Sequence, residues 1–330
     1  MLPKEKIKTI AIFRALQLGD LLCSVPAFRA LRCAFPDAHI AIIGLPWMNA
    51  LVERFPNYLD EFILFPGYPG LPEQPVNAAA TAAFLLEMTK RKFDLVLQMQ
   101  GNGSIVNPMI ELFGATFTGG FCVKDDYRPA SPYFFEYPEG ISEVLRHLSL
   151  MKHLGIETTG EELEFPVTSK DEDDLMNSFE LPDNHFICVH AGSRGAYRQW
   201  PTGYFAGVAD QCMEYGYNIV LTGTKEELPV VYSVAEKMKY KPLIAAGSTN
   251  LGAMAALLKH SGGLISNCTG VSHVASALNI KSVIISMDGE PERWAPLNKE
   301  LHTIVDWTRK PDYNKVRQSV FEQFSLVSSC

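Results

Sequence analysis

Residues equipped for polar chemistry gather in four short stretches of this chain, each just after an apolar run. The first, "FRALQLGDLLCSVPAFRALR", carries Arg14, Gly19, Asp20 and Arg29. A carboxylate at 20 has two uses: it can cap a helix by accepting backbone N–H bonds, or take a proton from a substrate as a general base. Arg14 can partner that carboxylate or bind a ligand, Gly19 permits a tight turn, and Arg29 lies further down the same predicted helix. The second stretch, "HAGSRGAYRQWP", sets Ser193, Arg194 and Arg198 among small residues before Trp200-Pro201. Such a loop opening onto a helix suits a diphosphate, because backbone N–H groups favour negative charge and guanidinium grips phosphate with two prongs. His190, just ahead of it, reads as a packed strand-end residue.

The third stretch, "LTGTKEEL", puts Glu226 or Glu227 at a helix opening, either complementing the helix dipole or accepting from ribose hydroxyls. The fourth, "SNCTGVSHVASALNI", holds Asn267, Cys268, Thr269, Gly270 and His273. A hydroxyl and bare N–H groups at a helix start make a second anion site, one that can share a diphosphate with the arginine loop. The same helix start would lower the pKa of the Cys268 thiol. No second cysteine or evident base accompanies it, so nucleophilic catalysis is the weaker reading.

These stretches need elements to position them. Apolar strands at "TIAIFR", "AHIAIIG", "EFILF", "DLVLQMQ" and "ATFTGGF" alternate with helical patterns at 20–33 and 76–91, and "ISEVLRHLSLMKHLGI" reads as a further helix. The scheme repeats with "HFICVHAG", "YNIVLTG", "PLIAAGS", "GLISN" and "KSVIISM" and helical patterns at 202–215, 225–238 and 251–260. Near-continuous apolar strands suit parallel sheets covered on both faces. Alternation twice over predicts an α/β chain of two doubly wound domains, with a boundary near residue 170 at a proline and an acidic run. Ligands bind beyond the carboxyl ends of strands in such folds, and two domains face to face would bring those ends to one cleft.

Composition narrows the function classes. A formal net charge of -8 argues against a broad nucleic-acid-binding surface, though not against a small basic pocket for phosphate. Seven cysteines are scattered, with no C-x-x-C and no zinc spacing, which points to reduced thiols in a reducing compartment. The N-terminal apolar run is too short for a signal peptide, and no segment approaches the roughly 20 apolar residues of a membrane span. A cytoplasmic protein is expected. No G-x-G-x-x-G follows the first strand, which argues against a dinucleotide oxidoreductase.

Taken in order, the four stretches resemble glycosyltransferase family 9, the bacterial heptosyltransferases of lipopolysaccharide core assembly. "RALQLGDLLCSVPAFRALR" resembles the family's Arg-x-x-x-x-Gly-Asp opening, and "HAGSRGAYRQWP" its loop with a basic residue before Trp-Pro. "LTGTKEE" resembles its glycine-acid turn. "SNCTGVSHVASALNIKSVIISMDGEPERWAPL" resembles the block usually read Asn-Asp-Thr-Gly-x-x-His. The resemblance implies a GT-B fold: an acceptor-binding domain over 1–170, a nucleotide-sugar-binding domain over 171–310, and a final segment, 311–330, packing back on the first domain. It implies inverting transfer from a nucleotide-diphosphate sugar, ADP-linked, to a hydroxyl of a glycan or glycolipid acceptor, with neither cofactor nor metal. Asp20 then matches the general base, with Arg14, Gly19 and Arg29 on the acceptor side. Arg198, Ser193 and Arg194 fall at the diphosphate, and Glu226 or Glu227 at the ribose. Asn267, Cys268, Thr269, Gly270 and His273 form the donor turn. A lipid-linked acceptor would suit peripheral contact with the inner face of the cytoplasmic membrane.

Three departures stand out: Cys268 where the family usually has aspartate, Arg198 where lysine is common, and Val271 where proline is frequent. A thiol supplies neither a carboxylate's charge nor its acceptor oxygens. The alternatives are a non-catalytic nucleotide-sugar-binding or assembly protein on the same fold, and a GT-B-like epimerase.

Overall fold

The computed structural model describes residues 2–326. The chain divides into two units, Met1–Glu162 and Leu163–Cys330. The first is built on six parallel strands: β1 (Thr9–Phe13), β2 (His39–Gly44), β3 (Glu61–Leu64), β4 (Leu95–Gln98), β5 (Phe117–Cys122) and β6 (Tyr133–Glu136). Their order in the sheet is β3-β2-β1-β4-β5-β6. The second unit has β7 (Phe186–His190), β8 (Asn218–Leu221), β9 (Leu243–Ile244), β10 (Gly263–Asn267), β11 (Ser282–Ser286) and β12 (His302–Asp306). Its order, β12-β11-β10-β7-β8-β9, is the same winding.

In each unit the chain moves outward from a first strand, then returns to that strand's other side and moves outward again. The reversal leaves a switch point where neighbouring strands send their following loops apart. In the first unit it lies between β1 and β4, which pair Phe13 with Gln98. In the second it lies between β7 and β10, which pair His190 with Ser266.

Burial on both faces explains the strand sequences. Ile10 to Phe13 and Ile40 to Ile43 are all inaccessible to solvent, as are Leu264, Ile265 and Val283 to Ile285. In the first core Phe13, Phe65, Phe84 and Phe113 form a chain of edge-to-face rings, with centroids 5.0, 6.0 and 5.6 Å apart. In the second, fully buried Trp200 packs edge-on to Phe205 and Trp307.

Several expectations are revised. The helix predicted over 20–33 is two helices, Leu18–Leu22 and Val25–Ala34. Pro26 cannot donate the N–H that would carry one into the other, and tolerates the opening turn of the second. The unit boundary falls eight or so residues before 170. The acidic run taken for a boundary is instead the opening of the helix Ser169–Ser178. There Asp171 accepts from Thr168 N–H at 2.8 Å, and Thr168 Oγ1 accepts from Asp171 N–H at 3.3 Å.

In the final segment, 311–330, Val316, Val320, Phe324 and Leu326 belong to the core of the second unit. Their spacing gives the helix Tyr313–Gln323 one apolar stripe, and the second sheet's face buries it. Residues 327–330 lie outside the described residues. β6 and β12, both at sheet edges, had not been expected: their half-exposed, mixed sequences lack the apolar run of a central strand.

Candidate active site

Asp20 is the third residue of the short helix that follows β1, and it is partly exposed. Gln17, not Asp20, is the residue that precedes that helix, and Asp20 stands in its first turn. Its backbone carbonyl is held unusually firmly. Arg14 Nε donates to it at 2.9 Å, Arg14 Nη2 at 2.6 Å, and Ser24 Oγ at 3.0 Å. Arg14 Nη1 donates to Met99 O, just beyond β4. Ala15 N–H donates to Gln100 Oε1 at 2.6 Å, a second tie across the same switch point.

Arg14, expected on the acceptor side, is completely buried. Its counter-ion lies on the helix Glu143–His153: Glu143 Oε1 is 3.3 Å from Nη2, and Glu143 also pairs with Arg146. His147 Nε2 lies 3.2 Å from Glu143 Oε1, yet burial and then the charge of Arg14 push its pKa down to about 4. The contact is therefore made by a neutral imidazole. Arg146 also donates to Pro138 O at 3.0 Å and lies over the Tyr137 ring.

The other two acceptor-side candidates lie in the same unit. Arg29 donates to Thr159 O at 3.0 Å and lies 3.7 Å from the Glu162 carboxylate, tying down that segment. Gly19 sits buried inside its helix without a positive φ, so it makes no left-handed turn. Glu143, Arg146 and His147 were missed in the sequence. The signal was there: three ionisable residues at i, i+3 and i+4 on a face that must be apolar if it is core.

In the second unit Asn267 closes β10 and is fully buried. Its Oδ1 accepts from Trp200 N–H at 2.9 Å, and its Nδ2 donates to Ala191 O at 2.8 Å. Both ends of the arginine loop are thus fastened to one amide. Asn267, expected at the donor turn, braces that loop.

Between those anchors Ser193 is buried, Arg194 is exposed, and Arg198 ends a single turn, Ala196–Arg198. Arg198 pairs with Asp288, which follows β11. Asp288 also accepts from Ser286 Oγ at 2.8 Å and from Glu290 N–H at 3.2 Å. Despite burial, its carboxyl lies below the ordinary range, because Arg198, Ser286 and the Glu290 N–H all favour the anion. Asp288 was another omission, although its place after a strand was the signal that picked out the others.

Cys268 lies within electrostatic reach of both Arg198 and Asp288. Burial, reinforced by Asp288, pushes its thiol up to about 12. The lowered pKa expected from the helix start is overturned: desolvation and a nearby anion outweigh it. Thr269 and Gly270, partly exposed, open the helix Gly270–Ala277. His273, 4% exposed, sits edge-on to Trp294.

Of the two glutamates, Glu226 is exposed. Glu227 accepts from Thr224 N–H at 2.8 Å and lies 3.7 Å from His190 Nε2. Gly192 leaves room for it: a Cβ there would fall 2.2 Å from the Glu227 carboxyl. His190 Nδ1 is 3.0 Å from Thr222 Oγ1, and burial lowers its pKa against the pull of Glu227.

The sequence model of glycosyltransferase family 9 (heptosyltransferase) matches residues 82–324, most of the chain. The chain belongs to glycosyltransferase family 9. This family 9 protein is 22% identical over 323 residues to lipopolysaccharide heptosyltransferase 2 of Escherichia coli K12, spanning 91% of this chain and 88% of that one. Its fold is similar to that of a family 9 glycosyltransferase from Veillonella parvula DSM 2008 (TM-score 0.78, 22% identity, 98% and 94% of the two chains). It is also similar to the E. coli ADP-heptose lipopolysaccharide heptosyltransferase II (TM-score 0.76, 18% identity, 97% and 99%). The expected GT-B class, two doubly wound α/β units, holds.

The protein is therefore a glycosyltransferase, an enzyme. Within this family 9 chain, the carboxylate on the Arg14-braced turn and the cation of the Asn267-braced loop each stand at a switch point. Among the described residues no helix is long and apolar enough to cross a membrane, and no three His, Cys, Asp or Glu side chains are grouped to hold a metal ion.

Proposed function

We propose that this enzyme transfers a sugar, heptose or a close relative, from an ADP-linked donor to a hydroxyl of a lipopolysaccharide-core-like acceptor, with inversion. The observation that carries the reading is Asp20: a partly exposed carboxylate on a turn that a fully buried cation holds by its own carbonyl. The names of the two E. coli relatives, a lipopolysaccharide heptosyltransferase and an ADP-heptose enzyme, support the acceptor and donor classes.

In this reading the acceptor oxygen attacks the anomeric carbon from the face opposite the diphosphate. Its proton passes to Asp20 as the new C–O bond forms. The bond from the anomeric carbon to the diphosphate oxygen breaks, and the nucleoside diphosphate leaves with the electron pair. Arg198 meets the growing charge on the diphosphate, helped by the N–H groups that open Gly270–Ala277. To do so it exchanges Asp288 for phosphate. Glu227, rather than Glu226, accepts from the ribose. Cys268 is a neutral thiol, and Asp288, its electrostatic neighbour, is the carboxylate this reading assigns to the sugar. Work on a lipid-linked acceptor would place the enzyme at the inner face of the cytoplasmic membrane.

Calorimetry with ADP, UDP, GDP and dTDP, followed by turnover with the matching sugar conjugates, tests the reading. ADP is expected to bind in preference to the others. Asp20→Asn is expected to lose about 10²–10⁴-fold in kcat while keeping ADP affinity, the usual worth of a general base. Absence of nucleotide binding in folded protein overturns the donor site. Full turnover by Asp20→Asn overturns the base. Isomerised sugar from donor alone would make the enzyme an epimerase.

A further inference from the structure

We infer that Arg14, backed by Glu143, Arg146 and His147, is a positioning residue for Asp20: it sets where the carboxylate stands and so how fast it takes the proton. The inference rests on the base reading above and deepens it.

Three observations carry it. Arg14 is wholly buried, so it does not touch substrate, yet it directs two of its N–H groups to the main chain of the residue that does. The third guanidinium nitrogen reaches Met99 O beyond β4, so the grip spans the switch point and ties the Asp20 turn to the neighbouring strand. The carbonyl it grips is one the helix ladder releases. Leu18–Leu22 ends at Cys23, and Ser24 N–H turns to Leu21 O, leaving Asp20 O to Arg14 and to Ser24 Oγ. The break between the two helices is what frees this oxygen, and the buried cation is what fills it.

Behind Arg14 the helix Glu143–His153 supplies the backing. Glu143, 2% exposed, holds Arg14 and Arg146 together, and neutral His147 packs against it without adding charge. Burying two guanidinium groups around one carboxylate is costly where a hydrophobic cluster would serve for stability alone. A forked cation here fixes the direction of a main-chain carbonyl, and with it the Cα–Cβ bond that aims the Asp20 carboxylate. Proton transfer depends steeply on such aim, because a misplacement of about 1 Å can cost on the order of 100-fold.

Arg14→Lys tests this. Lysine keeps the buried charge and one donor but loses the fork. The expected result is a fall in kcat of about 10–100-fold, with KM for donor and acceptor and the affinity for ADP within twofold of wild type. In an Asp20→Asn background, followed by single-turnover assays at high enzyme concentration, Arg14→Lys is expected to cost nothing further, since it acts only through Asp20. If Arg14→Lys does not fold, Glu143→Gln, which loosens the backing without emptying it, is expected to lower kcat severalfold with the same unchanged KM. Unchanged kcat, a rise in KM at constant kcat, or an equal loss in the Asp20→Asn background overturns the inference. Failure of the base reading looks different: Asp20→Asn itself would then turn over like wild type.

Discussion

The two units share one winding and brace their switch points by opposite means. In the first, a buried cation, Arg14, reaches from the end of β1 to carbonyls on the Asp20 turn and beyond β4. In the second, a neutral amide, Asn267, reaches from the end of β10 to both ends of the loop after β7. An amide can donate and accept, so a single Asn satisfies an N–H and a C=O together and needs no counter-ion. A guanidinium only donates, so it suits a turn that offers carbonyls, and it brings with it Glu143, Arg146 and His147. The difference shows where rigidity is placed. The charged brace stands behind the proposed base, which must be aimed, and the neutral brace stands behind the loop of Arg198, the half-buried cation proposed to exchange Asp288 for phosphate.

The comparison can be broken by substitution. The largest effect is expected at the charged brace. Arg14→Met takes the side-chain donor from the buried Met99 carbonyl, leaves Asp20 O with Ser24 Oγ alone and Glu143 with one cation fewer, at a cost of about 3–5 kcal/mol; urea unfolding measures it, and a loss under about 1 kcal/mol would mean the cluster is no brace.

A pH series separates the braces without mutation. The unfolded chain protonates His147 near its ordinary 6.5, whereas the folded chain resists until about 4. Its contribution is therefore complete above pH 6.5 and lost as pH falls through that window, to a total of about 3 kcal/mol. His147→Gln should flatten that part of the curve. A curve of unchanged slope would show that His147 is not the group that titrates.

The smallest effect is expected at the neutral brace. Asn267→Leu leaves the Trp200 N–H and the Ala191 carbonyl buried and unmet, costing about 1–3 kcal/mol. It should also weaken ADP binding by loosening the arginine loop. A variant as stable as wild type but unable to bind ADP would return Asn267 to the donor site.

Much of this was legible in the residues. Strand patterning gave two doubly wound units, because a strand buried on both faces must be apolar along its length, as "HIAIIG" and "SVIIS" are. The strand-end rule singled out Asp20, Arg198, Glu226 or Glu227, and Thr269 as candidates, because parallel topology sends chemistry to those ends. Edge strands such as Tyr133–Glu136 escaped, since one open side relaxes the demand for apolar residues.

What the sequence by itself determined was therefore the fold and, with it, the strand ends where the candidate residues stand. Those follow from periodicity and from the types of side chain at the turns, which are local properties. The roles were decided by tertiary structure. Arg14, Arg29 and Asn267 were expected at the ligands, and packing gives each of them main-chain partners within its own unit. Cys268 looked activated by a helix start, and burial beside Asp288 pushed its thiol the other way. Glu143 and Asp288, 129 and 90 residues from their partners, entered only when folding brought them within reach. Burial and counter-charge act through space, and a polar side chain's task is set by which of them reaches it.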